Sequence, residues 1–337
     1  MLAAPLASAC RGRPPAVLAS APHQPAIALP VCRALLYLGQ PVVLDHLFYQ
    51  PDSALVRQST LPRMLHMLNL AGFGMRAWDP ASREPDKPWS YASTTLPVFD
   101  RNLKGLAEKV SASAVLGHVR GVAYSTTAEV TPANVHPFQF PGAALALAHN
   151  GDLARFAELK PRLAARIPQE VLRHIKGTTD SEWIYALVLS GLREPFARPE
   201  PEALIQAVAR ALAILREERA ALGIDLSSSV NLFISDGTQA VAVRYCFDFG
   251  RYATDDAARL HEANLHFLSL WYTLGRHYGL HDGEWRMTAG AAEADSILIA
   301  SEPLTRDVDS WVELPEYALL HTGLRDGRPA LTLRYLD

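Results

Sequence analysis

Four short segments hold the residue types able to do chemistry in this chain. Cys32 opens the apolar, β-favouring run CRALLYLG, where a thiol is either a small buried hydrophobe or a nucleophile. Arg120 closes GHVR; its planar guanidinium suits a carboxylate, and the alternative is an ordinary ion pair. Asn150 and Gly151 lie in LAHNGDL, and Asn-Gly is a strong signal for a hairpin turn. The same pair can also offer a side-chain amide and a backbone N–H to a developing oxyanion. Asp180 lies in TTDSEW. A capping box between Thr179 and Glu182 explains that composition and leaves Asp180 as a first-turn acid, or as an acceptor for an ammonium group.

Taken together, the four segments specify acyl transfer. An amino-terminal cysteine carries its own general base, because a free α-amine with a reference pKa of about 7.7–8.0 lies beside the thiol. Asn150 and Gly151 would hold the oxyanion, with one such donor contributing about 3–4 kcal/mol of barrier lowering. Arg120 on an α-carboxylate and Asp180 on an α-ammonium, flanking the attacked carbonyl, describe a γ-glutamyl substrate.

The elements that must position these groups follow from patterning. Residues 1–30 are crowded with Ala and Pro and show neither helical nor strand periodicity, so an extended segment is expected. Texture changes at Val31, and a single domain is expected over residues 32–337. Residues 1–31 then read as a disordered leader, a propeptide or an over-extended gene start, each leaving Cys32 at the mature amino terminus. The first strand is expected to end at Gly39-Gln40-Pro41. Further strand-like runs lie at Ala114–His118, Ala143–His149, Val230–Ser235, Gln239–Phe247, Ser296–Ala300 and Leu331–Tyr335. Helical patterns span Ser181–Leu192, Pro201–Leu222 and Thr254–Tyr278. Turn signals at Asn150-Gly151 and Asp236-Gly237 favour antiparallel pairing. The fold class is α+β, with sheets covered by helices on their outer faces.

Composition narrows the function. The 337 residues are 49% hydrophobic and 20% charged, with a formal charge of -3, which argues against a broad surface for nucleic acid. No apolar run approaches the roughly 18–20 residues that cross a bilayer, so a soluble, cytoplasmic protein is expected. Cys10, Cys32 and Cys246 have no CxxC spacing and do not form a disulfide framework or zinc site. His118, His136 and His149 lack the helical spacing of a zinc-peptidase motif, and no phosphate-cradling glycine loop occurs; no metal or cofactor is expected. Cys246 reads as core, and Trp271 with Trp285 as helix packing.

The order CRALLYLG, AGFG, GHVR, NVHPF, LAHNGDL, TTDSEW resembles the class II glutamine amidotransferases of the amino-terminal-nucleophile (Ntn) hydrolase superfamily. The similarity is greatest to a stand-alone branch with relatives in ergothioneine assembly and glutathione breakdown. It continues more weakly through NLFISDG and IASEPLT. The resemblance implies a four-layer αββα sandwich, a Cys32 nucleophile and an oxyanion hole at Asn150 and Gly151. It also implies carboxylate binding by Arg120 and ammonium binding by Asp180. Two positions depart from the family pattern: Ala71 stands where an Asp precedes Gly-Phe-Gly, and the small-residue-Thr pair after the Arg is absent. Tyr124 or Ser125 would have to replace that contact. An ammonia-accepting synthase, if one is used, would be a separate partner. The alternative is a non-catalytic γ-glutamyl-binding module with a blocked amino terminus.

Overall fold

The computed structural model describes residues 32–64, 68–122, 129–251 and 269–336. Alternation along the first strand sets the architecture. In β1 (Arg33–Val43), Ala34, Leu36 and Leu38 face one apolar cluster while Leu35 and Tyr37 face another. A strand buried on both faces must lie inside a stack of layers.

After β1 come α1 (Asp45–Phe48), β2 (Phe73–Trp78), β3 (Trp89–Ser93), α2 (Arg101–Ala107) and β4 (Ser111–Val119). The chain then forms β5 (Ala146–Gly151), α3 (Phe156–Ala164), α4 (Gln169–Leu172), α5 (Asp180–Ser190) and α6 (Pro201–Ala221). Next are β6 (Ser228–Ser235), β7 (Gln239–Arg244), β8 (Cys246–Phe247), β9 (Trp271–Gly275), β10 (Tyr278–His281) and β11 (Glu284–Met287). The last strands are β12 (Ser296–Ala300), β13 (Val312–Glu313), β14 (Ala318–Arg325) and β15 (Arg328–Tyr335).

One sheet runs β13-β9-β12-β1-β4-β2-β3, and the second runs β15-β14-β7-β6-β5 with β8 added to β6. Their ladders are antiparallel. Between the sheets lies a core rich in small residues, including Ala34, Ala114, Ala146, Ala148 and Ala242, which lets the two surfaces approach closely. Helices α3 to α6 cover the outer face of the second sheet through Leu159, Ile184, Val188, Val208 and Leu212. The outer face of the first sheet is covered, among the described residues, by α1, α2 and the β10–β11 hairpin, through Phe48, Leu103, Tyr278 and Met287. These four layers are the αββα sandwich that the resemblance implies.

Three expectations need correction. β1 does not stop at Gly39-Gln40-Pro41 but passes through it with a register shift between Leu38 and Val42. The Ser296 hydroxyl accepts Gln40 N–H there at 3.1 Å, replacing lost ladder bonds. Asn150-Gly151 is not a hairpin turn: both residues stay in β5, opposite Asn231 and Val230, because β6 extends far enough to keep pairing them. The helix over Thr254–Tyr278 fails in its second half, residues 254–268 lying outside the described residues; Trp271–Gly275 is a strand paired with Ser296–Ala300. Trp271 and Trp285 accordingly pack from strands, not helices. The aromatic and β-branched residues of WYTLG favour the pleated surface available beside β12. Asp236-Gly237 does turn β6 into β7, and Cys246 is buried. The expected leader, residues 1–31, lies outside the described residues.

Candidate active site

Cys32 stands at the head of β1, a central strand held by β12 on one side and β4 on the other. Its Sγ accepts the N–H of Gly121 at 3.3 Å. Burial pushes the thiol up to about 11; the Gly121 hydrogen bond and the charges of Arg120 and Arg33 oppose that rise, and Asp180 adds to it. With the sulfur this strongly desolvated, a thiolate requires a base at close range.

Arg120 leaves β4 in step with Cys32. Its N–H donates to Gly72 O at 2.8 Å and its carbonyl accepts Ala71 N–H at 2.9 Å. The AGFG loop therefore fixes the main chain of Arg120 through backbone bonds, which Ala71 supplies as well as an Asp would. Gly74 is needed for a neighbouring contact, since a Cβ there would lie 2.0 Å from His136 O. The Arg120 side chain is buried, and its Nη1 donates to Glu129 O at 3.0 Å. Burial lowers its pKa while Cys32 and Asp180 raise it. Tyr124 and Ser125 lie outside the described residues.

Asn150 and Gly151 end β5 on the opposite sheet. By strand alternation Asn150 shares the inter-sheet face with Ala146 and Ala148. Its Nδ2 donates to Ser301 Oγ at 3.1 Å, and the same hydroxyl accepts Ala34 N–H at 3.1 Å. Gly151 has φ 154° and packs so tightly on β6 that a Cβ would sit 2.0 Å from Ser229 O.

Asp180 begins α5. Thr179 caps the helix by accepting Glu182 N–H at 3.4 Å, but the box is not reciprocal. Glu182 instead accepts the N–H groups of Lys176 at 3.0 Å and Gly177 at 2.6 Å, ordering the approach to the helix. Asp180 Oδ2 accepts Leu153 N–H at 2.6 Å, which ties it to the chain just beyond Gly151. Asn134 braces the same corner: its Oδ1 accepts Thr178 N–H at 2.8 Å and its Nδ2 donates to Glu129 O at 3.0 Å. The NVHPF loop thus links the Arg120 side of the site to the Asp180 side.

The fold brings all five residues singled out in the sequence to one place. Cys32 reaches Arg120 through Gly121, and the head of β1 reaches Asn150 through Ser301. Asp180 meets the segment after Gly151, and its charge acts on both Cys32 and Arg120. His118, His136 and His149 lie buried beside this corner. Burial drives His118 down to about 3, His136 well below its ordinary value, and His149 in the same direction. Neutral imidazoles of this kind are poor bases. Among the described residues, no three acidic, histidine or cysteine side chains form a metal-binding cluster.

Sequence reasoning missed four supporting residues, Arg33, Ser301, Glu302 and Asp152. Arg33 Nη1 donates to Cys32 O at 3.0 Å, and its Nε lies 3.4 Å from Glu302 in a buried pair. Glu302 also accepts Ser53 Oγ–H at 3.2 Å and the N–H groups of Arg63 and Met64. Ser301 and Glu302 stood in the quoted IASEPLT run, yet nothing local shows that this run meets β1. Asp152 follows Gly151; burial, reinforced by Asp180, pushes its carboxyl up to about 7 against a smaller pull from Arg219.

A family profile described as glutamine amidotransferases class-II matches residues 99–258, a span that includes Arg120, Asn150, Gly151 and Asp180. Probable glutamine amidotransferase DUG3 of Saccharomyces cerevisiae is 30% identical over 309 residues, covering 86% of this chain and 81% of its own. The chain belongs to the class-II glutamine amidotransferases. An amidophosphoribosyltransferase of Methanothermobacter thermautotrophicus is 39% identical over 83 residues, 24% of this amidotransferase and 16% of that enzyme. Among solved structures, a glutamine aminotransferase class-II domain protein from Silicibacter pomeroyi superimposes with TM-score 0.55 at 21% identity. It covers 91% of this amidotransferase and 100% of that chain. The glutamine phosphoribosylpyrophosphate amidotransferase of B. subtilis gives TM-score 0.53 at 16% identity, over 91% of this chain and 49% of its own. Both likenesses bear on the fold. Among the described residues, no helix is long and apolar enough to cross a membrane.

Proposed function

We propose that this amidotransferase opens γ-glutamyl amides through a thioester on Cys32. The α-carboxylate of the substrate pairs with Arg120 and its α-ammonium with Asp180, which sets the side-chain carbonyl over the sulfur. The Cys32 sulfur adds to that carbonyl, and its proton passes to the α-amine of the same residue. Asn150 Nδ2 and Gly151 N–H hold the oxyanion. The amine then delivers the proton to the departing nitrogen as the C–N bond breaks. Water, deprotonated by the same amine, cleaves the thioester to release glutamate. The leaving group is ammonia from glutamine or a larger amine from a γ-glutamyl peptide, and an ammonia acceptor would be a separate protein.

One observation supports this most strongly. The nucleophile strand and the oxyanion strand, from opposite sheets, converge on the hydroxyl of Ser301 while Arg120 and Asp180 both act on the thiol. The mechanism needs residues 1–31 to be absent, because Cys32 N is otherwise a peptide nitrogen with no basicity. Intact mass of the purified protein, followed by a glutamate-release screen over glutamine, glutathione and other γ-glutamyl amides, tests both points. Cys32→Ala should abolish release, on the order of 10⁶-fold for a nucleophile acting as part of a unit. Turnover persisting in that variant would exclude the thioester.

A further inference from the structure

Strand β2 carries a cation that the amidotransferase site does not use. Arg76 lies between Gly74, which packs on the NVHPF loop, and Trp78 of the inter-sheet core. Its Nε donates to Gln139 Oε1 at 3.3 Å and its Nη1 to Met75 O at 2.9 Å. Gln139 is held for this contact, because its own amide nitrogen donates to Ala143 O at 3.0 Å.

No carboxylate pairs with Arg76 among the described residues. The acids that follow it in sequence are engaged elsewhere: Asp79 accepts Ala81 N–H at 2.8 Å, Asp86 pairs with Arg198 at 2.9 Å, and Glu84 with Lys87. The phenol of Tyr185 is the group whose charge would act on Arg76. Burial raises that phenol and its hydroxyl donates to Leu145 O at 2.6 Å, so it stays neutral. Arg76 is half-buried, and a partly desolvated guanidinium without a counter-charge carries a cost to the fold. Beside it opens a cavity of about 480 Å³, lined by Arg76, Lys87, Ser90, Gln139, Gly142 and one carboxylate, Asp86, whose charge is taken up by Arg198. Nη2 of Arg76 has no hydrogen-bond partner among the described residues, which leaves an edge of the fork for an incoming oxyanion.

We propose that this cavity is an anion-binding site, separate from the glutamyl pocket, in which a small carboxylate- or phosphate-bearing molecule supplies the counter-charge for Arg76. Arg76 makes the two-pronged contact, while Ser90 and Lys87 sit at the rim. None of the residues lining the cavity belongs to the set around Cys32.

The test is calorimetric titration of the full chain with sodium phosphate and, separately, with sodium succinate, ionic strength being held constant with chloride. Saturable binding of at least one probe is expected, and the tighter one identifies the anion class. Arg76→Gln should weaken it at least about tenfold, as loss of a charge-assisted contact does. Arg76→Lys, which keeps the charge and loses the fork, should weaken it less. Binding should persist in Arg120→Met, which removes the carboxylate clamp of the proposed reaction. Absence of saturable binding in the wild type overturns the proposal. So does unchanged affinity in Arg76→Gln or Arg76→Lys, or binding that disappears in Arg120→Met.

Discussion

Asn150 and Ala34 share one acceptor: the side-chain amide of the first and the backbone N–H of the second both donate to Ser301 Oγ at 3.1 Å. Ala34 is two residues along β1 from Cys32, so a single hydroxyl spaces the proposed nucleophile from the proposed oxyanion hole. Ser301 is itself anchored, its carbonyl accepting Ser269 Oγ–H at 2.8 Å. Ser301→Ala should lower kcat by about 10²-fold, comparable with loss of an oxyanion donor, while leaving KM nearly unchanged. Ser301→Thr, which keeps the hydroxyl, should recover much of the rate. Steady-state kinetics of the two variants, side by side, distinguishes positioning from simple destabilisation.

The pair Arg33–Glu302 is predicted to matter more to stability than to binding. Both side chains are buried, and Glu302 also closes the segment around Arg63 and Met64. Glu302→Gln would leave the Arg33 guanidinium uncompensated, at a cost of about 3–5 kcal/mol. Urea unfolding should show the loss, and pairing the change with Arg33→Met should restore part of it.

Acid should loosen the fold through its buried imidazoles. The folded-state values of His118, His136 and His149 lie below the ordinary histidine value, so the unfolded chain takes up protons first. Their contribution is intact above about pH 6.5 and is lost as pH falls toward the depressed folded values, at about 1.4 kcal/mol per unit for each histidine. Asp152 has the opposite sign: its carboxyl is raised to about 7, so protonation between pH 7 and 4 favours the folded state. With the histidines in the majority, stability should fall steadily from pH 6.5 to 5. A flat urea midpoint across that range would contradict the buried neutral state.

Gly151→Ala should be severe despite its small size. A Cβ would meet Ser229 O at 2.0 Å, so β5 must pull away from β6 or rotate its last residue. Overpacking of this kind costs about 1–3 kcal/mol, and the displaced N–H would no longer face the reacting carbonyl. Activity should drop by more than the stability loss explains; equal losses would mean that Gly151 serves packing alone.

Much of this was legible in the chain because the relevant signals are local. Apolar, strand-like runs marked β4, β6 and β12, and capping and amphipathic pattern marked α5 and α6. The four chemical segments stood out because Cys, Arg, Asn-Gly and Asp each end or begin a recognisable element. What escaped notice depends on contacts across long stretches of sequence. Ser301 lies 267 residues from Ala34, and no periodicity within IASEPLT points to β1. The failed helix at Trp271 has the same origin, since that segment takes its conformation from β12 rather than from its own propensity. Asn150-Gly151 misled in the other direction: a strong turn signal was overridden by the neighbouring strand.

The two halves of the proposed catalytic apparatus hang from different sheets, separated by a seam in which alanines interleave with Leu36, Trp78, Leu116 and Phe233. Competence therefore measures the tightness of that seam rather than the presence of either ladder. A replacement that wedges the layers apart by an ångström would silence turnover while every strand stayed hydrogen-bonded. Such lesions would be invisible to circular dichroism and plain to an assay.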